Sequence, residues 1–269
     1  MTIKHLKERT ALVTGSVQGI GLSIAKCLAA AGARIGVHGL ATAGQIEAAL
    51  AEVRAAGAPD ARFFDADLRD VAAIETMMAQ AQAWGPLDIL VNNAGMQKTA
   101  PLAEVTADLW DAIIAVNLTA AFHTMRLALP AMAARGYGRV VNIASVHGLV
   151  ASKDKGPYVA SKFGLVGLTR VAALEYASAG SRATGGVTVN AIGPGWTETS
   201  LIEPQIEARA IITGGDRDAG IASLLSEKQP SLRMSDPSEI GELAVFLCHR
   251  QAHNITGATI PVDGGWTAQ

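Results

Sequence analysis

Residues 145 to 162 read SVHGLVASKDKGPYVASK and gather Ser145, His147, Lys153, Lys155, Tyr158 and Lys162 within eighteen positions. In a helix, residues four apart share a face, so Tyr158 and Lys162 are neighbours in any helix that opens near this point. A free tyrosine ionises near pH ~10, too high for a base at neutral pH, and an adjacent ammonium favours the phenolate. Tyr158 is therefore a candidate acid/base. Ser145, thirteen residues earlier and at the end of an apolar run, could hydrogen-bond a substrate oxygen as charge develops on it. Taken alone, a tyrosine and a lysine so spaced are better read as an ordinary surface pair. The reading depends on the elements that hold them.

Short β-branched runs alternate with longer Ala-rich segments along the chain, the pattern of strand, helix, strand. Candidate strands are TALVT (10–14), ARIGVH (33–38), ARFFD (61–65), LDILVN (87–92), GRVVNIA (138–144), VTVNAI (187–192) and ATIPV (258–262). Most are apolar on both faces, as expected of strands covered by helices on each side, and connections of this length make the sheet mostly parallel. The expected architecture is one doubly wound, Rossmann-type α/β domain over residues 1–269 with a seven-stranded sheet. No Pro-rich linker, charge block or fixed-period repeat marks a second domain. The stretch 199–225 is the longest insertion before the last helix and is expected to be a helical lid.

Composition narrows the partners. Hydrophobic residues make up 49% of the 269-residue chain and charged ones 17%, which argues against disorder. The net charge of −2 gives no electrostatic case for nucleic acid or an anionic membrane, so any anionic partner is small and met locally. Cys27 and Cys248 each lie in an apolar helical pattern, which supports neither a disulfide framework nor a metal site. MTIKHLKERTALVTG passes from charged residues straight into a strand, without a leader-like apolar segment. A soluble cytoplasmic protein is expected.

TGSVQGIG (14–21) follows the first strand and opens a helix. This is where a dinucleotide pyrophosphate meets a helix N-terminus in a βαβ unit. Gly15 allows the sharp turn, Gly19 lets backbone approach the phosphates, and Gly21 permits close packing of helix on strand. A glycine-rich turn without a ligand is the plainer alternative.

The three-residue gap between Gly15 and Gly19 resembles that of the short-chain dehydrogenase/reductases. NNAG (92–95), Asn117, Ser145, Tyr158-x-x-x-Lys162 and Pro194-Gly195 fall where that family keeps its motifs, so the resemblance covers the chain from about residue 8 onward. It implies Asn117, Ser145, Tyr158 and Lys162 as the catalytic set. Lys162 would also hold the nicotinamide ribose, and Asn117 would support a water-linked proton path to it. The implied cofactor site comprises Thr14, Gly15, Ser16, Gln18, Gly19, Ile20 and Gly21, then Leu40, Asp67, Leu68, Asn93 and Gly95, with Tyr158, Lys162, Pro194 and Gly195. Asp67 is either the adenine-bonding residue or a helix N-cap. NAD users of the family often carry Asp at the end of the second strand, which is missing here, and NADP users carry a basic residue at position 40 or just before Gly19. Leu40 and Gln18 would leave a 2′-phosphate unpaired, so NAD is the expected cofactor.

SVHGLVAS, NNAGMQ, PGWTET, LLSEKQPS and VDGGWTAQ are similar to a branch of the family, the bacterial D-3-hydroxybutyrate dehydrogenases. That resemblance implies interconversion of (R)-3-hydroxybutyrate and acetoacetate, the ketone-body pair, in a homotetramer. The substrate carboxylate would be held by Gln97, His147 and Lys155, with Gln205 and Trp196 near the pocket, beside Ser145 and Tyr158. Trp266 would come from the tail of a neighbouring subunit. By themselves Lys155 is a solvated loop charge and His147 a polar contact. The chain departs from the branch at His38-Gly39-Leu40, where Asn-Gly-Phe is usual, in the longer segment 177–190, and at Gly193, where Cys is common. Two other functions stay open: a 3-oxoacyl thioester reductase using NADPH, whose substrate has no free carboxylate, and a non-catalytic NAD-binding sensor.

Overall fold

The computed structural model describes residues 4–268. Met1–Ile3, where the stretch read as leaderless begins, and Gln269, the end of the VDGGWTAQ motif, lie outside the described residues. In chain order the elements are β1 (Thr10–Val13), α1 (Gly19–Ala30), β2 (Arg34–Val37), α2 (Ala43–Ala56), β3 (Ala61–Phe63), α3 (Val71–Trp84), β4 (Leu87–Asn92), α4 (Ala107–Ile114) and α5 (Ala120–Arg135). They continue with β5 (Tyr137–Ile143), α6 (Gly156–Tyr176), β6 (Gly186–Pro194), α7 (Glu203–Thr213), α8 (Arg217–Lys228), α9 (Pro237–Cys248) and β7 (Thr259–Val262).

All seven expected strands form, and every pairing between neighbours is parallel. Their apolar character on both faces follows from what covers them. Val13, Ile35, Val91, Val141 and Ile192 pack toward α1, α2 and α9. Leu12, Leu90, Val140 and Val189, one residue out of step, pack toward α3, α5 and α6. The two-residue side-chain period thus builds two cores from one sheet.

The strand order is β3-β2-β1-β4-β5-β6-β7. Chain growth runs outward in one direction from β1 and in the other from β4, so the loops leaving these two strands diverge and open a crevice at the strands' C-terminal ends. Across that gap, Thr14 N–H donates to Val91 O (3.0 Å), and Asn93 Nδ2 donates to the carbonyls of Thr14 and Gly15 (both 2.9 Å). Deeper in, Asn92, Thr124, Asn142 and Thr169 form a buried chain of side-chain bonds of 2.6–2.8 Å joining β4 and β5 to α5 and α6.

The segment expected as a lid holds α7 and α8, and its helix runs on to Lys228. These helices pair around Ile206, Leu224 and Leu225 and pack on Trp196. Residues 107–135 form a helical run long and apolar enough, by length and composition, to cross a membrane. In the fold a π-helical turn at Ala115–Thr119 interrupts it, and Met125, Leu129 and Met132 enter the core. The long segment 177–190 turns tightly before β6 and enters it, at the opposite end of the strand from the crevice. Cys27 and Cys248 are free thiols.

Candidate active site

A cleft of about 540 Å³ opens at the switch point, lined from Gly15 through Lys162 to Trp266. Its phosphate end is set by glycine geometry. Gly15 has φ +62°, and a Cβ there would sit 2.8 Å from Ala94 Cα. A Cβ on Gly21 would lie 2.2 Å from Gly15 O and 2.4 Å from Asn93 Nδ2, so helix α1 can approach β1 and β4 only as glycine. Gln18 precedes α1 without a side-chain cap, and no acidic residue stands in the first turn. The helix therefore offers uncapped N–H groups and its positive end to the cleft, as an anionic pyrophosphate requires. Farther along, a Cβ on Gly95 would project to 3.5 Å from Asn117 Oδ1 and 3.7 Å from Lys162 Nζ, so glycine leaves room beside the lysine. These residues fit a nicotinamide dinucleotide.

At the centre, Ser145 leaves β5 with extended backbone, and Tyr158 and Lys162 occupy successive turns of α6. Pro157 within the first turn of α6 fixes where the helix starts. Lys162, 3% exposed, donates to Ile143 O at 2.8 Å, and its Nζ lies 5.7 Å from the Tyr158 ring centroid. Burial pulls the Lys162 ammonium down to about 8. Tyr158 is raised above its ordinary value by burial, partly offset by a hydrogen bond with Ser145. The cation expected to depress the phenol thus does not prevail in the protein by itself, because desolvation dominates and Lys162 is turned to a carbonyl. Asn117 lies in the π-helical turn, whose extra residue brings its amide inward. Its Oδ1 accepts from Met96 N–H (2.8 Å), and its Nδ2 donates to Met96 O (3.0 Å) and Ser161 Oγ (3.1 Å). Asn117 therefore ties the strand β4 loop to α6 from behind the cleft.

The third region gathers His147, Lys155, Gln205, Trp196 and Trp266, with Gln97 also lining the cleft. Lys155 Nζ is 3.5 Å from His147 Nε2, 3.3 Å from Gln205 Oε1, and 5.2 Å from the Trp196 ring centroid. His147 Nδ1 faces Val150 O at 3.3 Å, so Nδ1 carries the hydrogen and Nε2 accepts from Lys155. Burial and the Lys155 charge push His147 down to about 4, leaving it neutral at physiological pH. Burial, then the charge of Lys228, pulls Lys155 down to about 8. Lys155 is 8% exposed, yet it makes no ion pair among the described residues.

Several expected residues sit differently. Thr14 and Ser16 are buried behind the cleft: Thr14 Oγ1 accepts from the N–H groups of Asn93 and Ala94, and Ser16 Oγ donates to Val13 O. Asp67 is not a helix N-cap, since Asp70 caps α3 through Ala72 N–H (2.9 Å). The Asp67 carboxylate is instead clasped by Arg69, whose hydrogen bonds hold it down to about 2. Trp266 reaches the cleft from the same chain, where a neighbouring subunit's tail was expected. Gly264 (φ +58°) and Gly265 (φ +92°) reverse the chain after β7, and Asp263 accepts from Gly265 and Thr267 N–H. This hook sets Trp266 5.5 Å from His147 and 5.7 Å from Trp196. Gln18, Gly19, Ile20, Leu40, Asp67, Leu68, Asn93, Pro194 and Gly195 line the cleft as expected. Sequence reasoning missed His38, Arg69 and Gln229. Gln229 is fully buried and accepts from Trp196 N–H at 3.1 Å, and its place in the LLSEKQPS motif is the signal that could have found it.

A doubly wound sheet with a glycine turn at its switch point and a serine, tyrosine and lysine beside it is the framework of a nicotinamide-dependent oxidoreductase. The short chain dehydrogenase family pattern matches residues 9–210, and the chain belongs to that family. It is 50% identical over 266 residues, 98% of this chain and all of the relative, to a D-beta-hydroxybutyrate dehydrogenase of Cupriavidus necator. It is 42% identical to a protein of the same name from Rhizobium meliloti, over 97% of this chain and 99% of that one. Among solved structures it superposes, with a TM-score of 0.87 and 33% identity over 98% of this chain and 96% of the other, on a 3-oxoacyl (acyl-carrier-protein) reductase from Agrobacterium tumefaciens with NADP bound.

The Gly21 contact yields a direct expectation. Gly21→Ala forces Gly15 and Asn93 apart, so NADH affinity falls at least tenfold and folding stability drops by about 1–3 kcal/mol, the scale of an overpacked contact. Fluorescence titration and urea unfolding measure the two.

Proposed function

We propose that the chain is an NAD-dependent D-3-hydroxybutyrate dehydrogenase, interconverting (R)-3-hydroxybutyrate and acetoacetate. The observation that carries this is Lys155: a buried ammonium held by His147 and Gln205 beside the Trp196 ring, with Lys228 repelling it and no ion pair of its own among the described residues. A buried charge without a counter-ion is costly, and a small substrate carboxylate supplies one. His147 Nε2 and Gln205 orient the ammonium, Trp196 and Trp266 exclude water, and Gln97 completes the anion's surroundings.

Within this reading Ser145 donates to the substrate oxygen at C3, and Tyr158, whose phenol the positive charge of a bound oxidised nicotinamide would help Lys162 to ionise, takes the hydroxyl proton during oxidation and returns it during reduction. Held beside C3, a nicotinamide would supply the hydride acceptor or donor. Lys162 holds the ribose and, with Asn117, a proton path. The nucleotide is NAD because the adenosine end presents Leu40, 70% exposed, and Gln18, while the guanidinium of Arg69 is already engaged by Asp67. A homotetramer in the cytoplasm belongs to the same proposal; Phe122, Phe163, Val171 and Leu174, which α5 and α6 leave exposed, offer an apolar face for contact between copies.

The likeness to a 3-oxoacyl reductase with bound NADP favours the second reading, a carrier-thioester reductase. A thioester has no free carboxylate, so it would leave Lys155 unpaired. Nicotinamide reduction measured over hydroxy acids and hydroxy thioesters, with NAD and NADP, decides between them. (R)-3-hydroxybutyrate with NAD is expected to lead, and Tyr158→Phe to lower turnover by about 10² or more with NADH binding kept. Faster thioester turnover with NADP would overturn the proposal. Dinucleotide binding without turnover of any substrate would instead mark a sensor.

Acidity gives a second expectation. Lys155 and Lys162 are both depressed to about 8, so each is protonated below that pH and loses its charge above it. A neutral methyl ester needs Lys162 but not Lys155. The ratio of kcat/KM for the acid to that for the ester should stay level below pH 8 and fall above it. A ratio that stays level well into the alkaline range contradicts the assignment.

A further inference from the structure

His38 directly follows β2 with its imidazole buried, where it joins two walls of the nucleotide end of the cleft. The backbone N–H of Gly15 donates to Nδ1 at 3.1 Å, and Nε2 lies 3.1 Å from Ala66 O. A carbonyl can only accept and an amide N–H can only donate, so Nε2 must carry the hydrogen and Nδ1 must be bare. Both ring nitrogens are thereby committed to one neutral tautomer. The backbone adds to the link: His38 N–H donates to Ser16 Oγ (3.1 Å), and Ser16 N–H donates to His38 O (2.7 Å).

The two ends of this bridge matter. Gly15 holds the left-handed turn that sends the chain toward the uncapped start of α1. Ala66 leads into Asp67 and Leu68, which line the adenosine end. We infer that neutral His38 is a positioning residue for the dinucleotide, locking the Gly15 turn to the Ala66–Leu68 wall so that affinity is lost when the ring takes a second proton. The inference rests on the cleft holding a nicotinamide dinucleotide.

Protonation would set an N–H on Nδ1 against the N–H of Gly15, and the turn must then move. Burial keeps the ring below its ordinary acidity range, opposed by the bond to Ala66 O and by the carboxylate of Asp65. Gly15, Ser16 and Val17, which approach from the β1 side, bring no ionisable group. The ring is therefore neutral at physiological pH, and the bridge is lost only as pH falls. A bound pyrophosphate would attract a cationic ring, which acts in the opposite direction. The contact with Gly15 prevails because it is direct, whereas the phosphates are met through the glycine turn itself.

Calorimetric titration with NADH across about pH 5 to about pH 8 tests this. In the unmutated protein the affinity should be level at the upper end and fall toward the lower. His38→Asn keeps an oxygen to accept from Gly15 but cannot titrate, so its affinity should stay near the wild-type plateau and show no such fall. His38→Leu removes both bonds and should bind weakly at every pH. If the leucine variant does not fold, the asparagine variant decides the matter alone. The same acid fall in wild type and His38→Asn, or affinity that rises on acidification, overturns the role of His38 and leaves the nucleotide site standing. Absence of NADH and NADPH binding to the wild type at every pH overturns both.

Discussion

Two ammonium groups, Lys155 and Lys162, are buried in one cleft, and neither forms an ion pair among the described residues. Such charges are tolerated only where hydrogen bonds or a bound anion offset their lost hydration. The protein meets this demand with neutral oxygens and rings: Ile143 O for Lys162, and Gln205, His147 and the Trp196 ring for Lys155. Burial draws both ammoniums toward neutrality, and at Lys155 an arriving anion would restore full charge. The substrate end of the site is a deficit built into the fold.

Holding that deficit open requires a stiff frame. The switch point between β1 and β4 would be the weakest place in the sheet, yet Thr14 and Asn93 stitch it, and the Asn92–Asn142–Thr169 chain fixes β5 and α6 behind it. Asn117, from its π turn, ties the β4 loop to the same helix. The two tryptophans are held just as deliberately, Trp196 by Gln229 and Trp266 by the hook at Asp263. Asn117, Lys162 and Trp196 are thus each held by a bond from another element, as oriented chemistry demands.

The sheet was legible because seven apolar, β-branched runs leave little alternative, and parallel pairing follows from the helices between them. Tyr158, Lys162 and Ser145 were legible because helical spacing and strand ends are local properties. What stayed hidden depends on contacts distant in sequence. Asp67 offered two local roles, and neither reading could see that Arg69 would take its carboxylate while Asp70 capped α3. The origin of Trp266 turned on two left-handed glycines and on Asp263, whose combined effect is a chain reversal no pattern specifies. The direction of the Tyr158 shift depends on burial, which the four-residue spacing to Lys162 does not report. His38 looked like a departure from its relatives; only the fold shows both nitrogens engaged.

The central claim is that the Lys155 charge meets a substrate carboxylate. Comparing wild type with Lys155→Ala on (R)-3-hydroxybutyrate and on its methyl ester tests it most directly, since both substrates share the reacting carbon and Tyr158. The account predicts a loss in kcat/KM of about 30-fold for the acid, the scale of a charged hydrogen bond, and only a few-fold for the ester. Equal losses for both would contradict it.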